Sequence, residues 1–387
     1  MATTPAPADT LASLRARLEQ AGQGHLLAFA DQLPADALAG LVQRLGALDL
    51  EELAAIIERH RAPAPAHAAD RLDPPVVSSP AGPPTDAHFE ADAARRAGLD
   101  LIASGRVAAL TVAGGQGTRL GFPGPKGTLA VAPVSGRTLF EVFADQISAA
   151  SRHVGRPIPW LIMTSPQNHE QTVGFFGDRG WLGLEREQVR FFTQGAMPSF
   201  DPDTGRLLLA DKDRLATNPD GHGGVVAALV RSGELDRLER EGVEHLSYFQ
   251  VDNPLAIPLD PLFLGAHAGA GGARSSGRMS SKMVPKAHAG EKVGVFASRG
   301  GRTVVVEYSD LPEELACATE ADGRLRYEAG STAIHAASTA FFREVHDAGE
   351  DALPFHRALK KVPHLDPETG RPVQPDAPNA VKLERFV

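Results

Sequence analysis

Backbone that can close around an anion and side chains that can neutralise one fall together in LTVAGGQGTRLGFPGPKGTL, from Leu110 to Leu129. Consecutive glycines let main-chain N–H groups approach a ligand and turn inward as a nest for negative charge. Arg119 offers a planar fork for phosphate oxygens and Lys126 a compact point charge, while Pro123 and Pro125 stiffen the stretch that presents Lys126. Two familiar phosphate loops fail on spacing. A P-loop needs Gly, four residues, then Gly-Lys-Ser/Thr, and here Lys126 lies between Pro125 and Gly127. The dinucleotide fingerprint needs glycine at its first, third and sixth places. Gly115 and Gly117 comply, but the sixth place is Leu120 and Gly121 comes one residue late. As bare residues, a tight turn with two solvated cations accounts for the stretch as well as a ligand loop does.

Other candidates stand at the ends of apolar runs. Asp252 closes LSYFQVDN. A carboxylate at a strand's carboxyl end suits Mg²⁺, a hard ion that takes oxygen ligands, although Asp-Asn-Pro is equally a turn signal. Gln194, at the end of VRFFTQ, is an amide that can both donate and accept, and taken alone it reads first as a surface side chain in a loop. Glu307, in TVVVEYS, is an acid at a strand end that can accept hydrogen bonds or simply stand exposed. The 14 histidines are scattered, with no His-Glu-x-x-His spacing; His222, within DGHGG, is the functional candidate among them. GAHAGAGGARSSGRMSSK reads as a flexible loop in which Lys282 is the one candidate for phosphate contact.

The elements that must position these groups follow from periodicity. Leu11, Leu14 and Leu18 recur at helical spacing with Asp9 or Thr10 as N-cap, and Leu53, Ile56 and Ile57 repeat the pattern, so residues 8–61 read as helical. The Pro- and Ala-rich stretch from Arg61 to Asp86 reads as an extended connector, followed by a helix from about Ala87 to Ser104. From Val107 short apolar runs (VAALTV, PWLIMTS, VRFFTQ, LSYFQVDN, KVGVFAS, TVVVEYS) alternate with amphipathic stretches. In the first of these stretches Thr138 and Glu141 form a capping-box pair and Phe140, Phe143 and Ile147 one helical face. The alternation predicts an α/β fold: a mixed, mostly parallel sheet flanked by helices, with ligands beyond the carboxyl ends of the strands. The expected organisation is an N-terminal helical subdomain over 1–62, a connector over 63–86 and the main domain over 87–387.

Composition sets the limits. The chain has 387 residues, 42% hydrophobic and 22% charged, as in ordinary globular proteins. A net charge of -9 argues against nucleic-acid binding, which needs a basic face, and leaves room for a small anion at a local cluster of cations. Cys317 is the only cysteine, so neither an intramolecular disulfide nor a cysteine-based zinc site is available, in keeping with a cytoplasmic protein. The N-terminus does not read as a signal peptide, and no apolar run approaches a membrane span. A monomer or weak homo-oligomer is expected.

GGQGTRLGFPGPKG resembles the signature loop of the UDP-sugar pyrophosphorylases, the eukaryotic-type UTP:sugar-1-phosphate uridylyltransferases, and most resembles the UDP-N-acetylglucosamine pyrophosphorylase branch. FFTQGAMPSFD, NPDGHGGVVAAL, FQVDNPLAIPLDPLFLGAH, EKVGVF, VVVEYSDLP, AGSTAIH, PFHRALKKVPHLD and NAVKLERFV follow in family order, and GHLLAFADQL resembles the family's N-terminal helical region, so the likeness runs from about residue 20 to the end. The resemblance implies a Rossmann-like, GT-A-like nucleotidyltransferase domain. It also implies a Mg²⁺-dependent reaction of UTP with a sugar-1-phosphate that gives a UDP-sugar and pyrophosphate. Carried over to this chain, Arg119, Lys126 and Lys382 face the phosphates. Gly114, Gly115, Gly117, Thr118, Gln194, Gly221 and His222 hold the nucleotide. Gly294, Glu307 and Ser331 hold the sugar, and Asp252 holds the metal.

Three departures qualify this. His222 stands where the N-acetylglucosamine branch has Asn. Ser331 and Ile334 stand where that branch has two more Asn residues, which leaves the sugar open between N-acetylglucosamine and glucose. The likeness is still running at KLERFV, where the family continues into a further region bearing another Lys; that region is expected to be missing here. The alternative function is a degenerate relative that binds UTP or UDP-sugar without turnover.

Overall fold

The computed structural model describes residues 10–62, 72–81, 88–349 and 352–386. The chain divides into two compact units, one drawn from Met1–Ala68, Gly195–Gly224 and Leu353–Phe386, the other from Ala69–Gln194 and Val225–Ala352.

In the first unit, α-helices occupy Leu11–Gln20, Ala35–Gly46 and Leu50–His60. Thr10 is the N-cap of the first, its hydroxyl accepting from the Ser13 N–H; Asp9 lies outside the described residues. The apolar faces of these helices, including Leu14, Leu18, Leu45 and Ile57, share one core with Phe200, Leu209, Val381 and Leu383. The helical segment therefore packs against strands supplied by the middle and the end of the chain.

The second unit holds a nine-stranded sheet, whose elements are numbered here within the unit. Its strands are β1 (Leu72–Asp73), β2 (Val107–Val112), β3 (Trp160–Thr164), β4 (Val189–Thr193), β5 (His245–Gln250), β6 (Met279–Pro285), β7 (Val295–Arg299), β8 (Arg302–Val306) and β9 (Ala329–Ser338). They run in the order β1-β7-β9-β5-β2-β3-β4, with β6 beside β9 and β8 beside β7. The β5-β2-β3-β4 block is parallel, and the strands beyond β5 join antiparallel. Both faces of the block are covered: Val107–Leu110 and Trp160–Thr164 are buried without alternation, as the continuous apolar runs require. Of the connector expected over 63–86, residues 63–71 and 82–86 lie outside the described part, and Leu72–Asp73 pairs as the edge strand β1.

Helices α1 (Ala91–Ala103), α2 (Leu139–Val154), α3 (His169–Asp178), α4 (Val225–Arg231), α5 (Glu234–Arg240), α6 (Pro261–His267) and α7 (Thr339–Asp347) flank the sheet, and Glu313–Ala316 adds one further helical turn. The capping box of α2 forms as its sequence predicts: the Glu141 N–H donates to the Thr138 hydroxyl, and the Thr138 N–H to the Glu141 carboxylate. The stretch expected to be loop from Gly265 to Lys282 is corrected at both ends: Gly265–His267 belongs to α6, and its last residues lie in a strand. Met279–Pro285 is β6, a strand of polar and small residues that pairs with β9, and its half-exposed position explains why no apolar run marked it.

Helices α1 and α6 touch backbone to backbone. A Cβ on Gly98 would lie 1.8 Å from the Pro261 carbonyl oxygen, and one on Gly265 would lie 1.8 Å from that of Ala94. Gly98→Ala is therefore expected to lower stability by about 1–3 kcal/mol, the cost of overpacking, seen as a lower urea midpoint at unchanged m-value. Near this helix pair two buried rings, His245 and His267, meet edge to face at 5.1 Å. Burial, with some help from His245, pushes His267 down to about 4, and burial also lowers His245. The unfolded chain takes up protons near the ordinary histidine value of about 6.5, which the folded chain resists. The stabilisation is thus complete above that value and drains away as pH falls toward 4. His267→Gln should flatten the slope of urea midpoint against pH in that window.

Candidate active site

Parallel strands end on the same side, so the segments after β2, β3, β4 and β5 gather at one edge of the sheet. The pairing continues one residue past the strands: the Ala113 N–H donates to Met163 O at 2.7 Å, Gln194 N–H to Thr164 O at 2.9 Å, and Val251 N–H to Val112 O at 3.0 Å. This fixes the starts of the glycine-rich loop, of the Gln194 segment and of the Asp252 turn relative to one another.

The glycine-rich loop is a small closed hairpin. Gln116 bridges Pro125, the Gly117 N–H donates to Gly124 O at 2.8 Å, and the Lys126 N–H donates to Gly115 O at 3.1 Å. Gly117–Leu120 forms a short 3-10 turn that carries Thr118 and ends at Gly121, whose φ of 69° is the left-handed conformation glycine tolerates best. The glycine that comes too late for a dinucleotide fingerprint is thus the cap of this turn. Gly117 contributes to loop closure, since its N–H is taken by Gly124 and a Cβ there would lie 2.8 Å from the Phe122 ring. Among the described residues, no main-chain carbonyl takes the N–H groups of Gly114, Gly115 or Gln116. Arg119 lies in the same turn; its side chain is outside the described structure.

The return of the hairpin brings Lys126 back across Gly115, where a Cβ would lie 3.2 Å from Lys126 Cε. Lys126 Nζ reaches Asp252 Oδ2 at 2.5 Å, with 25% and 36% of the two side chains exposed. Gln194 is buried against the loop from the other strand end: a Cβ on Gly114 would lie 2.8 Å from Gln194 Oε1. The structure therefore brings together Gly114, Gly115, Lys126, Gln194 and Asp252. Their common chemistry is a main-chain nest, one cation, one carboxylate and one amide, set up to hold an anion with a planar polar group.

Gly294, Glu307 and Ser331 form a second group in the same unit. A Cβ on Gly294 would lie 3.3 Å from Glu307 Oε1, and the Ser331 N–H donates to Gly294 O at 2.8 Å. Beside Ser331 the β6–β9 register shifts, and Ala333 has φ 52°, a strained value for a residue with a Cβ. Ile334 packs into the main core with Phe249 and Val251. Lys282, the candidate phosphate ligand of its stretch, pairs with Asp260 at 2.5 Å, and Asp260 also caps α6.

The first unit holds Gly221, His222 and Lys382. Gly221 has φ 86°, and a Cβ there would lie 2.3 Å from Arg385 O; the Gly223 N–H donates to Arg385 O at 2.8 Å. These glycines admit the backbone of the C-terminal segment, a reason for their smallness that the sequence did not reveal. The His222 ring lies 5.3 Å from that of Phe386, and burial pushes it down to about 4, so the imidazole is neutral at ordinary pH. Lys382 sits on the strand Ala380–Glu384, opposite Ala358. Sequence reasoning passed over Asn168, which is fully buried in the turn after β3 and bonds the glycine-rich loop. SPQNHE reads only as a turn, and no local signal separates this asparagine from an ordinary loop residue.

The sheet and its loop are those of the nucleotidyltransferase fold. The solved structure of the uridine diphosphate N-acetylglucosamine pyrophosphorylase of Trypanosoma brucei, in complex with inhibitor, superposes with a TM-score of 0.78 at 26% identity, over 98% of this chain and 75% of that one. The sequence profile of the family described as UTP–glucose-1-phosphate uridylyltransferase matches residues 89–332. The UDP-N-acetylhexosamine pyrophosphorylase-like protein 1 of Xenopus tropicalis is 36% identical over 392 residues, spanning 98% of this chain and 75% of that protein. The UDP-N-acetylglucosamine pyrophosphorylase of Saccharomyces cerevisiae is 35% identical over 295 residues, 76% of this chain, and the match spans 61% of the yeast protein. The chain belongs to the UTP–glucose-1-phosphate uridylyltransferase family.

A half-exposed ion pair contributes little to stability, on the order of 0.2–1 kcal/mol. A double-mutant cycle with Lys126→Met and Asp252→Asn, read by urea denaturation, should give a coupling energy in that range that shrinks as salt is added. A coupling of several kcal/mol, insensitive to salt, would make the pair a structural element instead.

Proposed function

We propose that this chain is a UTP:sugar-1-phosphate uridylyltransferase that forms a UDP-sugar and pyrophosphate. The observation that carries the reading is the convergence of the Gly114–Gln116 nest, Lys126, Gln194 and Asp252 at one edge of the parallel block, in a chain of this family. In the reaction a phosphate oxygen of the sugar-1-phosphate attacks the α-phosphorus of UTP. The bond from that phosphorus to the bridging oxygen breaks, and pyrophosphate leaves with the electron pair. No covalent protein intermediate is required. The protein has to hold two anions against their repulsion and stabilise the charge that develops on the leaving group.

Each residue then has a task. The N–H groups of Gly114 to Gln116 and the Lys126 ammonium take the triphosphate oxygens, with Arg119 assigned to them by resemblance. The buried Gln194 amide reads the uracil edge. Glu307 and Ser331, with Gly294 leaving room beside Glu307, accept the sugar. Gly221, His222 and Lys382 keep the nucleotide and phosphate roles that the resemblance implies. The described residues contain no cluster of three or more His, Cys, Asp or Glu side chains fit for a metal. A lone carboxylate fits Mg²⁺ that is bound chiefly through substrate phosphates and its own waters; Asp252 would be its protein ligand, and the ion would supply neutralisation between the two phosphates.

Ile334 is held by the core and Ser331 is short, so this chain gives an N-acetyl group fewer amide partners than the N-acetylglucosamine branch does. Among the described residues no helix is long and apolar enough to cross a membrane. The reading places the enzyme in the cytoplasm, where the exposed thiol of Cys317 stays reduced, acting as a monomer or weak homo-oligomer.

Incubation with UTP and Mg²⁺, in parallel with N-acetylglucosamine-1-phosphate and glucose-1-phosphate, should release pyrophosphate. Asp252→Ala should lower kcat by about 10²–10³-fold, the size of loss seen when a preorganised charge is removed. Full turnover by that variant would remove Asp252 from the site. Binding of UTP without turnover of either sugar phosphate would instead favour the degenerate binding protein.

A further inference from the structure

Asn168 is the N-cap residue of α3, yet its side chain caps no N–H of that helix. An asparagine there ordinarily lends its oxygen to the first turn. Here the Ser165 N–H donates to Asn168 Oδ1 at 2.8 Å, and this leaves Nδ2 facing the glycine-rich loop. Nδ2 donates to Ala113 O at 2.8 Å and, more weakly, to Gly115 O at 3.5 Å. The side chain is 0% exposed, and its partners fix which end of the amide points where.

The two carbonyls it takes flank Gly114. A trans peptide is planar, with its C=O and the following N–H pointing in opposite directions. Drawing Ala113 O toward Asn168 therefore turns the Gly114 N–H away from it, and drawing in Gly115 O does the same to the Gln116 N–H. The Lys126 N–H, also on Gly115 O, pulls that carbonyl as well. Without these bonds either peptide is free to flip, and a flipped peptide would present a carbonyl oxygen where an anion must sit.

We propose that Asn168 is a positioning residue that aims the Gly114 and Gln116 N–H groups at the nucleotide phosphates. The part concerning phosphates rests on the uridylyltransferase reading above. Of the neutral side chains of this size, an amide alone both accepts from Ser165 N–H and donates twice.

Two variants test it. Asn168→Asp keeps the size and the acceptor and loses the donor; Asn168→Ala loses both, and if it fails to fold, Asn168→Asp carries the test. The first readout is hydrogen exchange in the unliganded protein. The amides of Gly117 and Lys126, which close the hairpin, should exchange faster in the variants while those of α2 keep their wild-type rates. The second readout is kinetic: KM for UTP should rise on the order of tenfold, as loss of a buried hydrogen bond allows, while KM for the sugar phosphate stays within about twofold. A purely structural role would lower Tm and leave the ratio of the two KM values unchanged; that result, or unaltered exchange in the loop, overturns the proposal. Failure of the wild-type protein to bind or turn over UTP refutes the uridylyltransferase reading instead, and the exchange data then decide alone whether Asn168 orients the loop.

Discussion

Parallel pairing of β5, β2, β3 and β4 is the constraint on which the rest of the larger unit depends. Strands that run the same way deliver their carboxyl ends to one edge, and the chemistry-bearing segments are the residues that come next. Because the ladder continues through Ala113, Gln194 and Val251, the first residue of each segment is still held by sheet hydrogen bonds. Groups far apart in the chain are thereby placed within a hydrogen bond of one another by backbone alone, before any side chain contributes. The antiparallel strands beyond β5 add a second group, around Gly294, Glu307 and Ser331, to the same sheet.

Glycine does different work at different points of this arrangement. Gly114 and Gly115 leave room for Gln194 and Lys126, and Gly121 takes a left-handed turn. Gly98 and Gly265 let two helices meet at their backbones, and Gly221 and Gly223 let the chain near Arg385 lie against them. Glycine content therefore marks close approach generally, and only the neighbour that approaches tells a ligand loop from a packing contact.

Much of the fold was legible because its strongest signals are local. Val107–Val112 and Trp160–Thr164 are buried on both faces and so read as nearly continuous apolar runs, His245–Gln250 shows a shorter apolar centre between polar ends, and the Thr138–Glu141 box announces α2. Strands β6 and β9 left weaker traces: Met279–Pro285 is half exposed, and Ala329–Ser338 is built from small residues. The glycine-rich loop, Lys126, Gln194 and Asp252 could be picked out as strand-end residues, and the family resemblance supplied roles that composition could not. The Lys126–Asp252 pairing was not legible, since it joins residues on different strand ends. Nor was Asn168, whose importance comes from partners on another strand's loop. The N-terminal helices showed their apolar faces in sequence but not that the residues covering them, Phe200 and Leu383 among others, come from much later in the chain.

The contact between Lys126 and Asp252 means that these two charges already offset one another in the unliganded protein. On the proposed reading, a metal–nucleotide complex would trade partners with this pair, the lysine turning to phosphate and the aspartate to the cation, so that association would be ion exchange rather than ion capture. A polyanion without its cation would leave the aspartate facing it as a like charge, and the pair would then favour the complete complex over either component alone.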